Sequence, residues 1–145
     1  MKIFIDVNIF IDVMTKRQGW SASLRVLNLA RESPDVEGWA SALTLPLLYF
    51  FRRRVADEVT ARRDARAILE QIELVPLSQV VLDGALVSQG IDFEDNIQIV
   101  SAESIAVNHL ITRNKKDFHP LRISVLAPEE WLLLPEAIAV EAKLG

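Results

Sequence analysis

Lys2–Asp6 (KIFID) is a short β-rich run closed by an acid, and it predicts a buried strand. Val7–Met14 stays apolar, with Asn8 able to cap a following helix. Gly19 punctuates the chain, and Trp20–Arg31 carries Leu24, Leu27 and Leu29 at mostly helical spacing until Ser33-Pro34 stops it. Glu37–Ser41 (EGWAS) predicts a second strand. Leu43–Arg54 predicts a buried helix with a basic end, with Pro46 tolerable in its first turn. Asp57–Leu74 predicts a helix with Val59, Ala65, Ile68, Leu69 and Ile72 on one face and Arg62, Arg63 and Arg66 mainly on the other.

The second half repeats the alternation. Leu74–Leu77 is a short strand candidate, and Ser78 can cap a helix over Val80–Gln89 that Gly90 ends. Asp92 can cap Phe93–Val107, and His109–Thr112 (HLIT) follows as a strand. A polar turn, RNKKDFHP, leads to a last strand at Ile123–Leu126, a short helix from Pro128 to Leu134 and a helical tail from Glu136. Strands alternating with helices imply an α/β fold, a mostly parallel sheet covered on both faces. Nothing divides the 145 residues, so one domain spanning 1–145 is expected. In such folds the ligand crevice lies at the carboxyl ends of the strands. That rule selects Asp6, the residues after HLIT, and the acids that open the helix leading into it.

Composition narrows the chemistry. The chain has no cysteine, which excludes disulfides, a thiol nucleophile and cysteine-held metals. It has two histidines, His109 and His119, too few for a histidine-rich metal site; His119 beside Pro120 reads as a surface loop residue. No apolar run reaches membrane-span length, and Asp6 interrupts any signal-like start, so a cytoplasmic protein is expected. Residues 67–110 contain no Lys or Arg but carry Glu70, Glu73, Asp83, Asp92, Glu94, Asp95 and Glu103. Residues 52–66 and 113–122 are each locally basic. Charged helix faces explain part of this polarity. An acidic cluster flanked by basic patches also suits a metal-dependent enzyme acting on a polyanion.

Each candidate has two readings at this point. Asp6 either hydrogen-bonds the next turn or ligates a metal from a rigid strand end. In DFEDN (92–96), capping and the helix dipole account for Asp92 and in part for Glu94 and Asp95. Three acids in four residues without a nearby cation also repel one another, and a divalent ion would relieve them. Asn114 and Asp117 suit a turn, with Lys115 and Lys116 between them able to hold phosphate. Neither GxGxxG, GxxxxGK[ST] nor GxSxG occurs. A receiver-like phosphotransferase would pair a second acid with Asp6; the chain has DVN there.

In number, order and spacing, IFIDVNIFIDV, ASALTLPLLYFFRRR, DFEDNIQIVSAE and LITRNKKDF resemble the PIN-domain family, over about residues 1–126, and above all its VapC-like toxin ribonucleases. The resemblance implies a three-layer α/β/α fold and a cluster of acids that binds Mg²⁺ or Mn²⁺ and cuts RNA. It implies that Asp6 and Asp95 are metal ligands and that Asn114 stands at the fourth acidic position. Asp117 is a nearby alternative to it. Asn8, Asp92, Glu94 and Thr112 are then supporting or additional ligands. Arg52, Arg53, Arg113, Lys115 and Lys116 would contact RNA. One departure stands out: counting from Thr44, the second acidic position is Leu47. Asp57 and Glu58 lie roughly 15 Å further along a helix, too far to replace it. The family further implies an antitoxin partner and a homodimer. The apolar stretches Trp131–Leu134 and Ile138–Val140 are expected at an interface.

Overall fold

Ile3, Phe4 and Ile5 are completely excluded from water. A strand with an unbroken apolar run belongs in the middle of a parallel sheet, where helices cover both faces. That is its place in the computed structural model, which describes residues 1–90, 92–118 and 122–145. His119 lies outside the described residues. The strands are β1 (Lys2–Ile5), β2 (Glu37–Ser41), β3 (Glu73–Val75), β4 (His109–Ile111) and β5 (Ser124–Leu126). They form one sheet in the order β3-β2-β1-β4-β5, every pairing parallel.

The helices are α1 (Val7–Thr15), α2 (Trp20–Glu32), α3 (Thr44–Val55), α4 (Glu58–Leu69), α5 (Gln79–Val87), α6 (Phe93–Ser104), α7 (Pro128–Leu132) and α8 (Pro135–Leu144). A 3₁₀ turn covers Lys115–Phe118. The pleat divides the core. Ile3 and Ile5 pack with Phe10, Val26, Leu48, Ile68 and Trp131 on one face. Phe4 points the other way, to Ala102, Leu110 and Phe118. The result is the expected three-layer α/β/α arrangement.

Several details differ from expectation. The helix after Asp57 ends at Leu69, and β3 starts at Glu73. Asp57 caps it by accepting from the Thr60 amide at 2.7 Å, and that start turns Ala61 and Ile68 inward. Val59 and Leu69, expected on the buried face, are exposed. Helix α5 ends at Val87, before Gly90. Gly90 instead makes room for Asn96: a Cβ there would sit 2.0 Å from the Asn96 amide oxygen. The apolar tail mostly covers its own chain, because Trp131, Leu132, Ala137 and Val140 complete the larger core face. Leu133, Ile138 and Ala139 of those stretches stay exposed. Among the described residues no helix is long and apolar enough to cross a membrane.

Candidate active site

Asp6 ends β1 and takes the N-cap position of α1, yet its side chain makes no cap bond. The expected helix cap at Asn8 is not formed either. Asn8 lies inside α1, and its Nδ2 donates to Asp6 Oδ2 at 3.2 Å. Thr112, just past β4, donates its hydroxyl to the same oxygen at 2.8 Å. That hydroxyl accepts the Asn114 amide at 3.0 Å, so its single proton is committed to Asp6. Asp6 therefore has one saturated oxygen. Oδ1 is buried with no hydrogen-bond partner. Burial raises the Asp6 carboxyl above its usual range, against the opposing pull of Thr112, Asn8 and Gln98.

Helix α6 supplies the second wall. The Val7 amide donates to Gln98 Oε1 at 3.3 Å, which ties α6 to the end of β1. Asp95 stands one turn before Gln98. Asp92 fulfils its expected role as a cap, accepting from the Glu94 amide at 2.9 Å. Asp92, Asp95, Lys116 and Asp117 line one surface cavity of about 300 Å³ with Asn96 and Gly90. Asn96 is fixed by donating to the carbonyls of Ala85 and Gly90, both at 3.2 Å. The Asp95 carboxyl is pushed from 3.8 up to about 6, first by burial and then by the charges of Asp92, Asp6, Asp117 and Glu94. Asp117, rather than Asn114, is thus the turn residue that stands among the carboxylates. The exposed Asn114 does not line the cavity; its backbone shapes the turn by accepting the Asp117 amide at 2.9 Å.

Two features bear on whether a cation fits. A buried carboxylate oxygen without a donor, near an Asp95 raised by the charges of its acidic neighbours, is chemistry that a divalent ion would satisfy. Thr44 Oγ1, at the start of α3 on the same sheet edge, is also buried and unpartnered. Against this, among the described residues no three carboxylate or imidazole groups stand close enough to hold an ion together. Leu47, at the expected second acidic position, packs against the larger core. The donors fit a divalent ion that keeps much of its water shell.

The family model for the PIN domain matches residues 2–116. The chain belongs to the PIN-domain family. Solved structures share the fold. A toxin–antitoxin complex from Klebsiella pneumoniae is 22% identical with a TM-score of 0.66, covering 87% of this chain and 97% of that one. VapBC-1 from nontypeable Haemophilus influenzae is 19% identical at 0.68, covering 89% and 99%. VapBC2 from Rickettsia felis, bound to a promoter DNA fragment, is 16% identical at 0.67, covering 88% and 98%. No curated protein matches the chain.

The basic residues of this PIN domain divide. Arg113 was expected at an RNA backbone, but its guanidinium is occupied inside the protein. It donates to Asp12 at 2.6 Å, to Glu129 at 3.0 Å, to Ser23 at 3.1 Å and to the Gly19 carbonyl. Arg52 pairs with Asp64 at 2.8 Å and Lys115 with Glu130 at 2.9 Å. Arg53 is exposed, and Lys116 lies among the carboxylates. Sequence reasoning missed Gln98, Asn96 and the buried Asp12. The available signal was their polarity on otherwise apolar helix faces.

The charge on Asp95 has a measurable cost. Its folded-state pKa lies above the unfolded one, so the neutral form is favoured by folding. Stability is fully present below about pH 4 and lost as pH rises through about 6. Asp95→Asn should therefore raise stability by about 1 kcal/mol at pH 8, after discounting for solvent screening, with almost no gain at pH 3.5. Urea unfolding in EDTA at both pH values checks this. An equal effect at the two would refute the repulsion.

Proposed function

We propose that this PIN domain is a metal-dependent endoribonuclease, hydrolysing RNA phosphodiester bonds as the toxin of a toxin–antitoxin pair. The supporting observation is the one-sided Asp6: Thr112 and Asn8 saturate Oδ2 and leave a buried Oδ1 unpartnered beside the Asp95 cluster. Asp6 and Asp95 would hold Mg²⁺ or Mn²⁺, with Asp117 and Asp92 at the cavity wall. A metal there would supply a water of lowered pKa and offset charge on the phosphate. Thr112 and Asn8 fix the Asp6 rotamer. Gln98 holds the Val7 peptide and with it the start of α1. Lys116 offers a cation to the scissile phosphate, and Arg53 to its neighbours. The antitoxin partner rests on the likeness to solved toxin–antitoxin complexes.

Calorimetric Mn²⁺ titration and RNA cleavage, on wild type and Asp95→Asn together, test this reading. We expect metal affinity to fall at least tenfold and cleavage at least 100-fold, on the order seen when groups serving a metal site are lost. Equal cleavage by both proteins would mean a contaminating nuclease.

A second reading is a PIN module that binds RNA or a protein without cutting. The observation that favours it is Leu47, apolar and packed where the family places an acid. Leu47→Glu separates the two. A jump in metal affinity and cleavage points to a weakened ancestral site. No change in either counts against a decayed site.

A further inference from the structure

Helix α3 ends in three consecutive arginines, and they are not equivalent. Arg52 turns toward α4 and pairs with Asp64. Arg53 and Arg54 are exposed, and among the described residues neither makes an ion pair within 4 Å. They line a surface cavity of about 520 Å³ with Leu47, Phe50 and Phe51. Phe50 is 61% exposed, a large solvation cost for an aromatic ring with no partner beyond an edge contact to Tyr49. Among the described residues no carboxylate lines this groove, with Glu58 outside it but close enough to feel the charge of Arg53, although the protein as a whole carries a net charge of −4.

The groove also has a definite position. Helix α3 leaves the sheet just after β2, the strand beside β1, so its first turn shares the sheet edge with Asp6. At 1.5 Å per residue, Phe50 and Phe51 lie roughly 10 Å along the helix from Thr44, and Arg54 roughly 15 Å. Aromatic faces beside cations that make no ion pair within 4 Å are the chemistry that holds single-stranded nucleic acid: bases stack and phosphates pair.

We infer that the α3 groove is a platform for single-stranded RNA. Bases stack on Phe50 and Phe51, and phosphates meet Arg53 and Arg54 as the strand runs toward the carboxylates. The choice of RNA rests on the ribonuclease reading above. It also reassigns the backbone contact: Arg53 and Arg54 take it, and Arg52 does not.

The test uses the full chain in EDTA, where binding is separated from cleavage, and a fluorescein-labelled 12-nucleotide oligouridine read by anisotropy. Phe50→Ala should weaken binding about tenfold, the scale of one lost base stack. Arg53→Gln with Arg54→Gln should lower the slope of log affinity against log salt by roughly 1.4, two phosphate contacts on a single strand. Both positions are exposed, so circular dichroism and Tm should match wild type. Oligouridine binding with unchanged affinity and salt slope in both variants would overturn the platform. So would unchanged RNA binding combined with a shift from dimer to monomer in light scattering, because the groove would then be a protein interface. Cleavage with Mn²⁺ separates this from the reading it rests on. A wild type that binds through Phe50 but does not cut keeps the platform and ends the nuclease proposal. A wild type that cuts, with Phe50→Ala cutting and binding equally well, does the reverse.

Discussion

Replacing Asp6 with Asn should lower RNA cleavage by roughly 10³-fold, about 4 kcal/mol of transition-state stabilisation, and leave the fold as stable or more stable. The two halves of this expectation have one cause. Asp6 is completely buried, and burial holds its carboxyl above the usual range. Asn has the same shape and can still accept from Thr112, but it carries no charge to desolvate. Capping is not lost, because the Asp6 side chain makes no cap bond to α1. Cleavage kinetics and thermal unfolding on the same preparation decide the matter. Loss of more than about 2 kcal/mol of stability would make Asp6 a structural residue, and its place in the chemistry would fall.

Arg113→Ala should be the most destabilising single change near the site, costing about 3–5 kcal/mol. Such a loss is a large part of the 5–15 kcal/mol typical of a whole domain. Asp12 is almost fully buried and would lose the cation 2.6 Å away. The guanidinium also joins segments far apart in sequence, with Asp12 on α1, Ser23 on α2 and Glu129 on α7 meeting at one planar fork. Arg113→Lys should recover little, since one ammonium cannot serve those directions together. Asp12→Asn with Arg113→Met should recover part of the loss by removing both charges. Urea unfolding of the four proteins provides the measurement. A cost below 1 kcal/mol for Arg113→Ala would mean that water replaces the guanidinium freely.

These two residues also show what could be read from the chain. Asp6 was legible because an acid ends an unbroken apolar run, and such runs become central strands. The cluster at Asp92, Glu94 and Asp95 was legible because three acids exceed what a helix start requires. Arg113 looked like a free cation in a polar turn. Its partner Asp12 is one acid in an apolar helix, 101 residues away, and no local pattern pairs them. Asn8 misled for a different reason. Cap statistics favour it, but the N-cap of α1 falls two residues earlier, at Asp6, and the Asn8 amide turns back to Asp6. Asn114 and Asp117 were separable only by the 3₁₀ turn, which brings the later residue to the cavity. The exposure of Val59 was hidden because helical spacing defines a face without saying what lies opposite it.

The strand order carries a consequence for synthesis. Strand β1 is made first, and β2 can join it once residue 41 has emerged, but the opposite edge waits for β4 at 109–111. The Thr112 hydroxyl that orients Asp6 comes just behind β4, 106 residues from its partner. A nascent chain therefore exposes an unpaired edge of its central strand for most of its translation, with the first carboxylate unoriented. On the ribonuclease reading, cutting capacity assembles only after Thr112 of the 145 residues has emerged, which shields the ribosome making the protein from it.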